Sequence, residues 1–328
     1  MKQLSSTFKV QYDLRPAKQV ERRMLLDAFQ RLGEAGFQIR DYQYTGFGSV
    51  YFVDFILFHK MLGLHKLLSL EHEPILESRV RFNKPFSCVD IKMESAAVEI
   101  PNLSRDLKHI LWLDYDGILR KEFTTDLKSA LNILPAGSVV LITVDAEPPR
   151  AEDFIDINSE YASGKIVLGP KHWKEYFEHH ASEYLPLGQK PDSFTQSNLA
   201  NVSVAILSEV FKRSILYRGD VSLQPLFNFT YRDGHLMITM GVMVAAREDK
   251  RRLNGSTLTE ATYFRPDFEA PPFEIRVPRL TRKERVYMDL AMPCAAGWKP
   301  TDFELDEATI EAYREVYRFL PAFAELLL

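Results

Sequence analysis

Cysteine is scarce in this chain of 328 residues, which contains only Cys88 and Cys294. Two thiols so far apart in the sequence form no disulfide framework and no CxxC zinc site, and they are typical of a reduced, cytoplasmic protein. Long apolar runs are also lacking, since the most apolar early stretch, residues 50–64, contains charged side chains and is too short to span a bilayer. Residues 1–16 lack the apolar core of a signal peptide, so we expect a cytoplasmic protein without a membrane partner.

A large excess of charge of one sign is also absent. The 41 Lys and Arg against 45 Asp and Glu give a formal net charge of -4, which excludes a polycation that coats nucleic acid. Hydrophobic residues make up 46% and charged residues 26%, a balance typical of globular proteins that excludes a disordered or low-complexity chain. No segment repeats with a period of about 20–50 residues, so we do not expect a solenoid fold.

Short apolar segments alternate with helical ones between Asp41 and Asp145. The five predicted strands are 41–45, 65–70, 87–92, 109–113 and 138–144, and the predicted helices between them are 50–62, 74–82 and 121–134. Short apolar strands that alternate with helices are typical of a parallel sheet covered on both faces. The sequence therefore predicts an α/β protein.

The pattern changes after Asp145. Two β-like runs, 223–231 and 235–245, flank an Asp233-Gly234 pair, which predicts a hairpin. Further helices are predicted at 16–36, 171–184, 199–216, 282–290 and 307–328. We therefore divide the chain into an N-terminal helical extension (1–40), an α/β domain (41–246) with an insertion at about 146–193, and a linker with a helical C-terminal extension (247–328).

A glycine-rich turn joins the first predicted strand to the helix that follows it. Thr45, Gly46, Phe47 and Gly48 stand at this junction, where backbone N–H groups can approach a ligand closely. A steric need for glycine in a tight turn explains the motif equally well. Glu71 ends the next strand, 23 residues after Gly48, where a carboxylate can accept both hydroxyl protons of a ribose.

Acidic residues also follow the third and fourth predicted strands, as Glu94 and as Asp114-Tyr115-Asp116-Gly117. These motifs, in this order, resemble those of the class I S-adenosylmethionine-dependent methyltransferase superfamily. The resemblance covers about residues 40–246, including a terminal hairpin whose last strand is antiparallel. It implies a Rossmann-like, seven-stranded, mostly parallel sheet with an antiparallel terminal hairpin.

The resemblance also implies a cofactor and a set of site residues. The cofactor is S-adenosyl-L-methionine, bound by Thr45, Gly46, Phe47, Gly48, Glu71, Glu94 and Asp114. Glu71 would hold the ribose of the cofactor and Glu94 its adenine. Asp114, Asp116 and Asp145 would be the catalytic residues. The implied function is that of an O-methyltransferase-like enzyme, with methyl transfer to an oxygen or nitrogen of an unidentified small-molecule or macromolecular acceptor. The alternative is a catalytically silent Rossmann-like module for binding or assembly.

Two positions depart from the family pattern. Tyr44 stands where the family places an acidic residue, and Val50 replaces a third glycine. We therefore expect Asp54 or a backbone carbonyl to hold the amino group of the methyl donor. A dinucleotide-binding dehydrogenase is the rival within the fold, but it would prefer a complete GxGxxG motif.

Three carboxylates follow the fourth and fifth predicted strands, at Asp114, Asp116 and Asp145. If they converge, a hard cation could compensate their charge, as in catechol-type O-methyltransferases, which this placement resembles. Those enzymes place asparagine after the last aspartate, whereas Ala146 stands here. The other interpretation is that one aspartate caps a turn and another is solvated. We assign no metal.

Basic residues cluster at 15–23, 247–252 and 276–285, but a charge run is usually a solvated face. The proline pair that shapes the base slot of DNA amino-methyltransferases is missing after Asp114, so nucleic acid is not the favoured acceptor. The aromatic residues Trp173, Tyr176 and Phe177 lie along one predicted helix of the insertion. This helix is either a lid over the acceptor or a helix docked on the core.

Overall fold

The computed structural model describes residues 15–321, so the ends of the predicted N-terminal extension and of the 307–328 helix lie outside the described residues. An eight-stranded sheet has the strand order β3-β2-β1-β4-β5-β7-β6-β8. Its strands are β1 (Gln43–Gly46), β2 (Lys66–Leu70), β3 (Val89–Lys92), β4 (His109–Ile118), β5 (Val139–Asp145), β6 (Ser222–Asp233), β7 (His235–Ala245) and β8 (Phe273–Ile275). Strands β1 to β5 are parallel, whereas β7 pairs antiparallel with both β5 and β6. The predicted Rossmann-like α/β fold with an antiparallel terminal hairpin is confirmed.

Helices cover both faces of the sheet. They are α1 (Pro16–Glu34), α2 (Val53–Leu62), α3 (Glu77–Asn83), α4 (Ala96–Glu99), α5 (Lys121–Ile133), α6 (Ser159–Ala162), α7 (Pro170–Ala181), α8 (Leu199–Ser214), α9 (Arg247–Asn254), α10 (Arg282–Ala291) and α11 (Glu307–Val316). Among the described residues, no helix combines the length and the apolar character needed to cross a membrane.

Side chains alternate between the two faces along each strand, so every central strand contributes to two apolar cores. On β4, Ile110 and Trp112 pack with α1, α2 and α11, whereas Leu111 and Leu113 pack with α5, α7 and α8. Strand β5 is buried along its whole length. Burial on both faces explains why these strands read as continuous apolar runs in the sequence.

The structure corrects three boundaries and adds one strand. Strand β4 continues past Leu113 to Ile118, so the acidic motif lies inside this strand and not after it. Helix α2 begins at Val53 instead of residue 50, because Ser49 and Phe52 both have φ of 49° and break the helix there. The sheet has an eighth strand, β8, whose three residues are too few to give a periodic signal. Helix α11 ends at Val316, before a 3-10 turn.

The insertion after β5 packs against the sheet domain. Helix α7 buries Tyr176 completely and leaves Phe177 1% exposed, and both join the core that contains α5 and α8. Trp173 is partly buried and packs on the same core. Apolar rings so completely buried dock the helix in place, so Tyr176 and Phe177 favour the docked helix over the lid.

Candidate active site

The strand order reverses between β1 and β4. From β1 the chain proceeds to β2 and β3 on one side of the sheet, and it then returns to form β4 and β5 on the other side of β1. The carboxyl ends of β1 and β4 are therefore a topological switch point. In open α/β sheets, ligands bind in the crevice outside the carboxyl ends of the strands at such a point. The residues that follow β1 and β2, together with the acidic motif of β4, meet at this edge.

The glycine turn after β1 is tightly packed. The backbone N–H of Gly48 donates to the hydroxyl of Ser69 at 3.1 Å. A Cβ at Gly48 would lie 2.5 Å from that hydroxyl oxygen and 2.7 Å from the ring of Phe52. A Cβ at Gly46 would lie 2.8 Å from the hydroxyl of Tyr44. Protein atoms, not empty space, therefore require glycine at both positions, which is the steric interpretation of the motif.

Glu71 directly follows β2, at the strand end that the sequence predicts, and faces this turn. The hydroxyl of Ser69 donates to the Glu71 carboxylate at 2.9 Å. Burial raises the pKa of Glu71, while hydrogen bonds from Ser69 and from the backbone N–H groups of Ser49 and Gly48 partly oppose that shift. Gly48, Ser69 and Glu71 thus form one unit in which the turn after β1 and the end of β2 hold a carboxylate in a fixed position.

The other predicted cofactor residues are placed differently. Thr45 is fully buried, and its hydroxyl accepts a hydrogen bond from Gln43 at 3.2 Å, so only its backbone can face a ligand. Phe47 is partly buried and contacts the ring of Tyr115, with centroids 5.2 Å apart. Glu94 is exposed beyond the carboxyl end of β3.

Asp114 lies in a charged network that the sequence did not reveal. The Lys18 ammonium lies 2.6 Å from a carboxylate oxygen of Asp114 and 2.8 Å from one of Glu21. The same ammonium donates to the hydroxyl of Tyr231 at 3.1 Å and lies 4.3 Å from the ring centroid of Trp112. Lys18 and Glu21 are 1% and 0% exposed. Helix α1 therefore places buried charges against the carboxyl end of β4.

Asp54 does not have the environment expected of a donor-binding residue. It is 4% exposed, and one of its oxygens accepts a hydrogen bond from the hydroxyl of Tyr44 at 3.3 Å. Its other oxygen pairs with the guanidinium of Arg22. Both oxygens thus have protein partners. The tyrosine that replaces the expected acidic residue of β1 holds the carboxylate of α2 instead.

The three carboxylates of β4 and β5 do not form a metal site. Asp116 is exposed, Asp114 pairs with Lys18, and Asp145 is 5% exposed with partners of its own. Within residues 15–321, no three His, Cys, Asp or Glu side chains are grouped so that they could hold a metal ion. A two-residue register shift within β4, opposite the end of β5, helps to separate the aspartates. The expected convergence is therefore wrong.

Asp145 holds a histidine that the sequence analysis missed. One oxygen of Asp145 lies 2.6 Å from Nδ1 of His235, and the other accepts the backbone N–H of Glu147 at 2.7 Å. The His235 side chain is 47% exposed, and its Nε2 lies 3.4 Å from the Arg150 guanidinium. A buried carboxylate on Nδ1 fixes the tautomer of an imidazole in which Nε2 carries the lone pair. Arg150 approaches that lone pair here, so an acceptor hydroxyl would have to take the place of Arg150 in order to give its proton to Nε2. Only the hairpin pairing of β7 with β5 brings these residues together, so no local motif could show it.

Sequence comparison assigns the family. A family model described as "Putative O-methyltransferase" matches residues 10–328. The chain belongs to this family. Membership confirms the resemblance to methyltransferases and the predicted methyltransferase function. The family model matches a longer part of the chain than residues 40–246, over which the sequence motifs showed the resemblance. No curated protein matches the sequence.

Several solved structures are similar to this member of the family in fold. The cofactor-bound Rv0187 from MTB shares 10% identity at a TM-score of 0.37, over 67% of this chain and 80% of that one. The O-methyltransferase TomG from Streptomyces achromogenes, in complex with SAM, shares 11% identity at a TM-score of 0.34, over 67% and 80%. Trm1 from Pyrococcus horikoshii with S-adenosyl-L-methionine shares 10% identity at a TM-score of 0.39, over 72% and 57%.

Proposed function

We propose that this methyltransferase transfers the methyl group of S-adenosyl-L-methionine to an oxygen of its acceptor, and that it does so in the cytoplasm, in keeping with two cysteines that are both free thiols. The observation that carries the proposal is the placement of the glycine turn, Glu71 and Asp114 at the carboxyl ends of β1, β2 and β4, on the two sides of the topological switch point. A nucleoside donor placed there would have its ribose beside the fixed carboxylate of Glu71. Its sulfonium end would lie toward Asp114.

The reaction needs an attacking lone pair in line with the breaking S–CH₃ bond. As the O–CH₃ bond forms, the electron pair of the broken bond stays on sulfur and the acceptor hydroxyl gives up its proton. Nε2 of His235 takes that proton, and Asp145 stabilises the imidazolium that results. Asp114 is held by Lys18 and serves to position the acceptor and the donor. Positioning of the two reactants supplies most of the rate in a transfer of this type.

Calorimetry with S-adenosylhomocysteine, the demethylated donor, tests the donor site. One site is expected in the parent protein. Glu71→Ala should weaken binding by about 1.5–3 kcal/mol, the range for a hydrogen bond to a charged group. The control is Glu73→Ala, which removes a carboxylate that is 44% exposed two residues away. Undetectable binding at millimolar ligand, or equal losses in the two variants, would contradict the donor site.

Label transfer from methyl-labelled donor to a panel of hydroxyl, carboxyl and amine compounds tests the reaction. With the acceptor so found, His235→Gln should lower kcat by about 10²–10⁴-fold, the usual contribution of a general base, without changing the affinity for S-adenosylhomocysteine. The control is His65→Gln, an exposed histidine before β2. A panel in which only amines accept label would replace oxygen by nitrogen in the proposal.

A further inference from the structure

A large open cleft lies beside the β6–β7 hairpin turn. Its volume is about 1290 Å³, which exceeds the roughly 300–1,000 Å³ of typical small-molecule sites. Three parts of the chain line it: the start of α1, the hairpin turn and the segment that leads into α10. Two of these parts belong to basic clusters in the sequence, at 15–23 and 276–285, which most of the chain separates. The fold therefore brings residues of these two basic clusters, which are distant in the sequence, to the same cleft.

Positive charge dominates this arginine cleft. Its charged lining residues are Arg15, Arg232, Arg279 and Arg285, with the carboxylates of Asp233 and Glu284. Both carboxylates already accept backbone hydrogen bonds: Asp233 from Lys18 at 2.8 Å and Glu284 from Thr281 at 2.7 Å. Arg279 is exposed and pairs with no carboxylate of the described residues. Arg232 pairs with Glu147 at 2.5 Å, and Arg15 lies 4.0 Å from Asp233. Arg279 and Arg285 are therefore the two lining arginines that have no carboxylate partner among the described residues.

The arginine cleft adjoins the residues that the proposed reaction uses. The backbone N–H of Lys18 is bound by Asp233 in the cleft wall, and the ammonium of the same residue is bound by Asp114. A single residue therefore connects the cleft wall to the carboxyl end of β4. On the other side, Gly234 of the cleft lining directly precedes His235, the residue paired with Asp145.

The lining favours one class of ligand. Arginine side chains match the geometry of carboxylate and phosphate groups through paired N–H donors. Among residues 15–321, none that lines the cleft is aromatic, whereas proteins that hold single-stranded nucleic acid usually stack its bases on aromatic rings. We propose that the arginine cleft binds the phosphate or carboxylate group of a small anionic acceptor. This inference rests on the proposed function, because it names the acceptor class of that reaction.

Titration of the purified full chain with pyrophosphate and with citrate tests the inference. Pyrophosphate and citrate distinguish the phosphate from the carboxylate as the preferred group. Arg279→Glu should weaken binding of the preferred anion by about tenfold or more, and Arg279→Lys by less, because lysine keeps the charge but loses the paired donors. The matched control is Lys171→Glu, which makes the same charge change at an exposed position in the first turn of α7. Thermal unfolding of all three variants reports whether the fold is kept.

Binding that falls in Arg279→Glu and is unchanged in Lys171→Glu supports the arginine cleft. Absence of binding of both anions at millimolar concentration overturns it, as does an equal loss in the two charge-reversal variants. A single-stranded RNA of about 12 nucleotides is titrated in parallel. If it binds through Arg279 while pyrophosphate and citrate do not, the acceptor is a nucleic acid and the small-molecule inference is wrong.

The same protein samples are titrated with S-adenosylhomocysteine. Anion binding without S-adenosylhomocysteine binding would remove the proposed function and leave an anion site. Binding of S-adenosylhomocysteine without either anion would remove the arginine cleft and leave the proposed function. The two failures are therefore distinguishable.

Discussion

Lys18 of α1 and Asp114 of β4 form an ion pair, with 2.6 Å between the ammonium nitrogen and a carboxylate oxygen. The two residues are 96 positions apart in the chain. Glu21 shares the same ammonium at 2.8 Å, so one buried cation compensates two carboxylates at the carboxyl end of the sheet. The N-terminal helix is therefore part of the candidate active site.

Lys18→Met should cost about 3–5 kcal/mol in the free energy of unfolding, because it keeps the volume but removes the cation of the buried Glu21 and of the partly buried Asp114. Urea denaturation measures the loss. The control is Lys212→Met, which breaks a pair with Glu269 whose side chains are 43% and 73% exposed, and which should change stability by about 1 kcal/mol or less. Similar small losses in both variants would show that Lys18 is replaceable.

The alternating strands and helices of the sheet domain could be predicted, because each strand and each helix has its own local pattern of apolar residues. The strand at 65–70 and the hairpin around Asp233-Gly234 are close to the observed β2 and β6–β7. Contacts between distant segments have no such signal. Lys18 lies in an amphipathic helix like any other charged residue, and its burial follows only from the packing of α1 on β4 and β6. The pairing of His235 with Asp145 also joins distant segments, so no local pattern in the sequence predicts it.

Gly48→Ala should destabilise the protein by about 1–3 kcal/mol, the usual range for overpacking. The added methyl would meet both Ser69 and Phe52, so it must displace the hydroxyl that orients Glu71. Weaker binding of S-adenosylhomocysteine should accompany the loss of stability. The control is Gly33→Ala near the end of α1, where a Cβ meets nothing within 4 Å. That variant should be neutral or more stable, by up to about 1 kcal/mol, and a neutral Gly48→Ala would show that the turn can adapt.

Phe177→Ala should cost about 3–5 kcal/mol, because the ring belongs to the core and its removal leaves a cavity. Val167→Ala, at a side chain 92% exposed in the same insertion, should stay within about 0.5 kcal/mol of the parent. Deletion of residues 151–190 should then lose fold and donor binding together. A shortened protein that keeps its stability and still binds S-adenosylhomocysteine would restore the interpretation of this insertion as a lid.

Glu21→Gln should change how the stability of the protein depends on pH. Burial raises the pKa of Glu21 above its ordinary value of 4.5, with the charge of Asp114 acting in the same direction and Lys18 opposing both. The folded protein therefore holds the Glu21 proton more tightly than the unfolded chain does. The stability that this proton contributes is fully present below pH 4.5 and is lost as pH rises through the raised pKa of the folded state.

The difference in unfolding free energy between the parent and Glu21→Gln should accordingly favour the parent most at low pH and shift toward the variant as pH rises. Each unit of pKa difference between folded and unfolded states contributes about 1.4 kcal/mol to that shift. Urea titrations from acid to neutral pH measure it, and Glu178→Gln, at a carboxylate 50% exposed on α7, corrects for the loss of one negative charge. A difference that moves in the opposite direction with pH would mean that the Lys18 ammonium, and not burial, determines the state of Glu21. The charge of Glu21 would then stabilise α1 on the sheet at neutral pH.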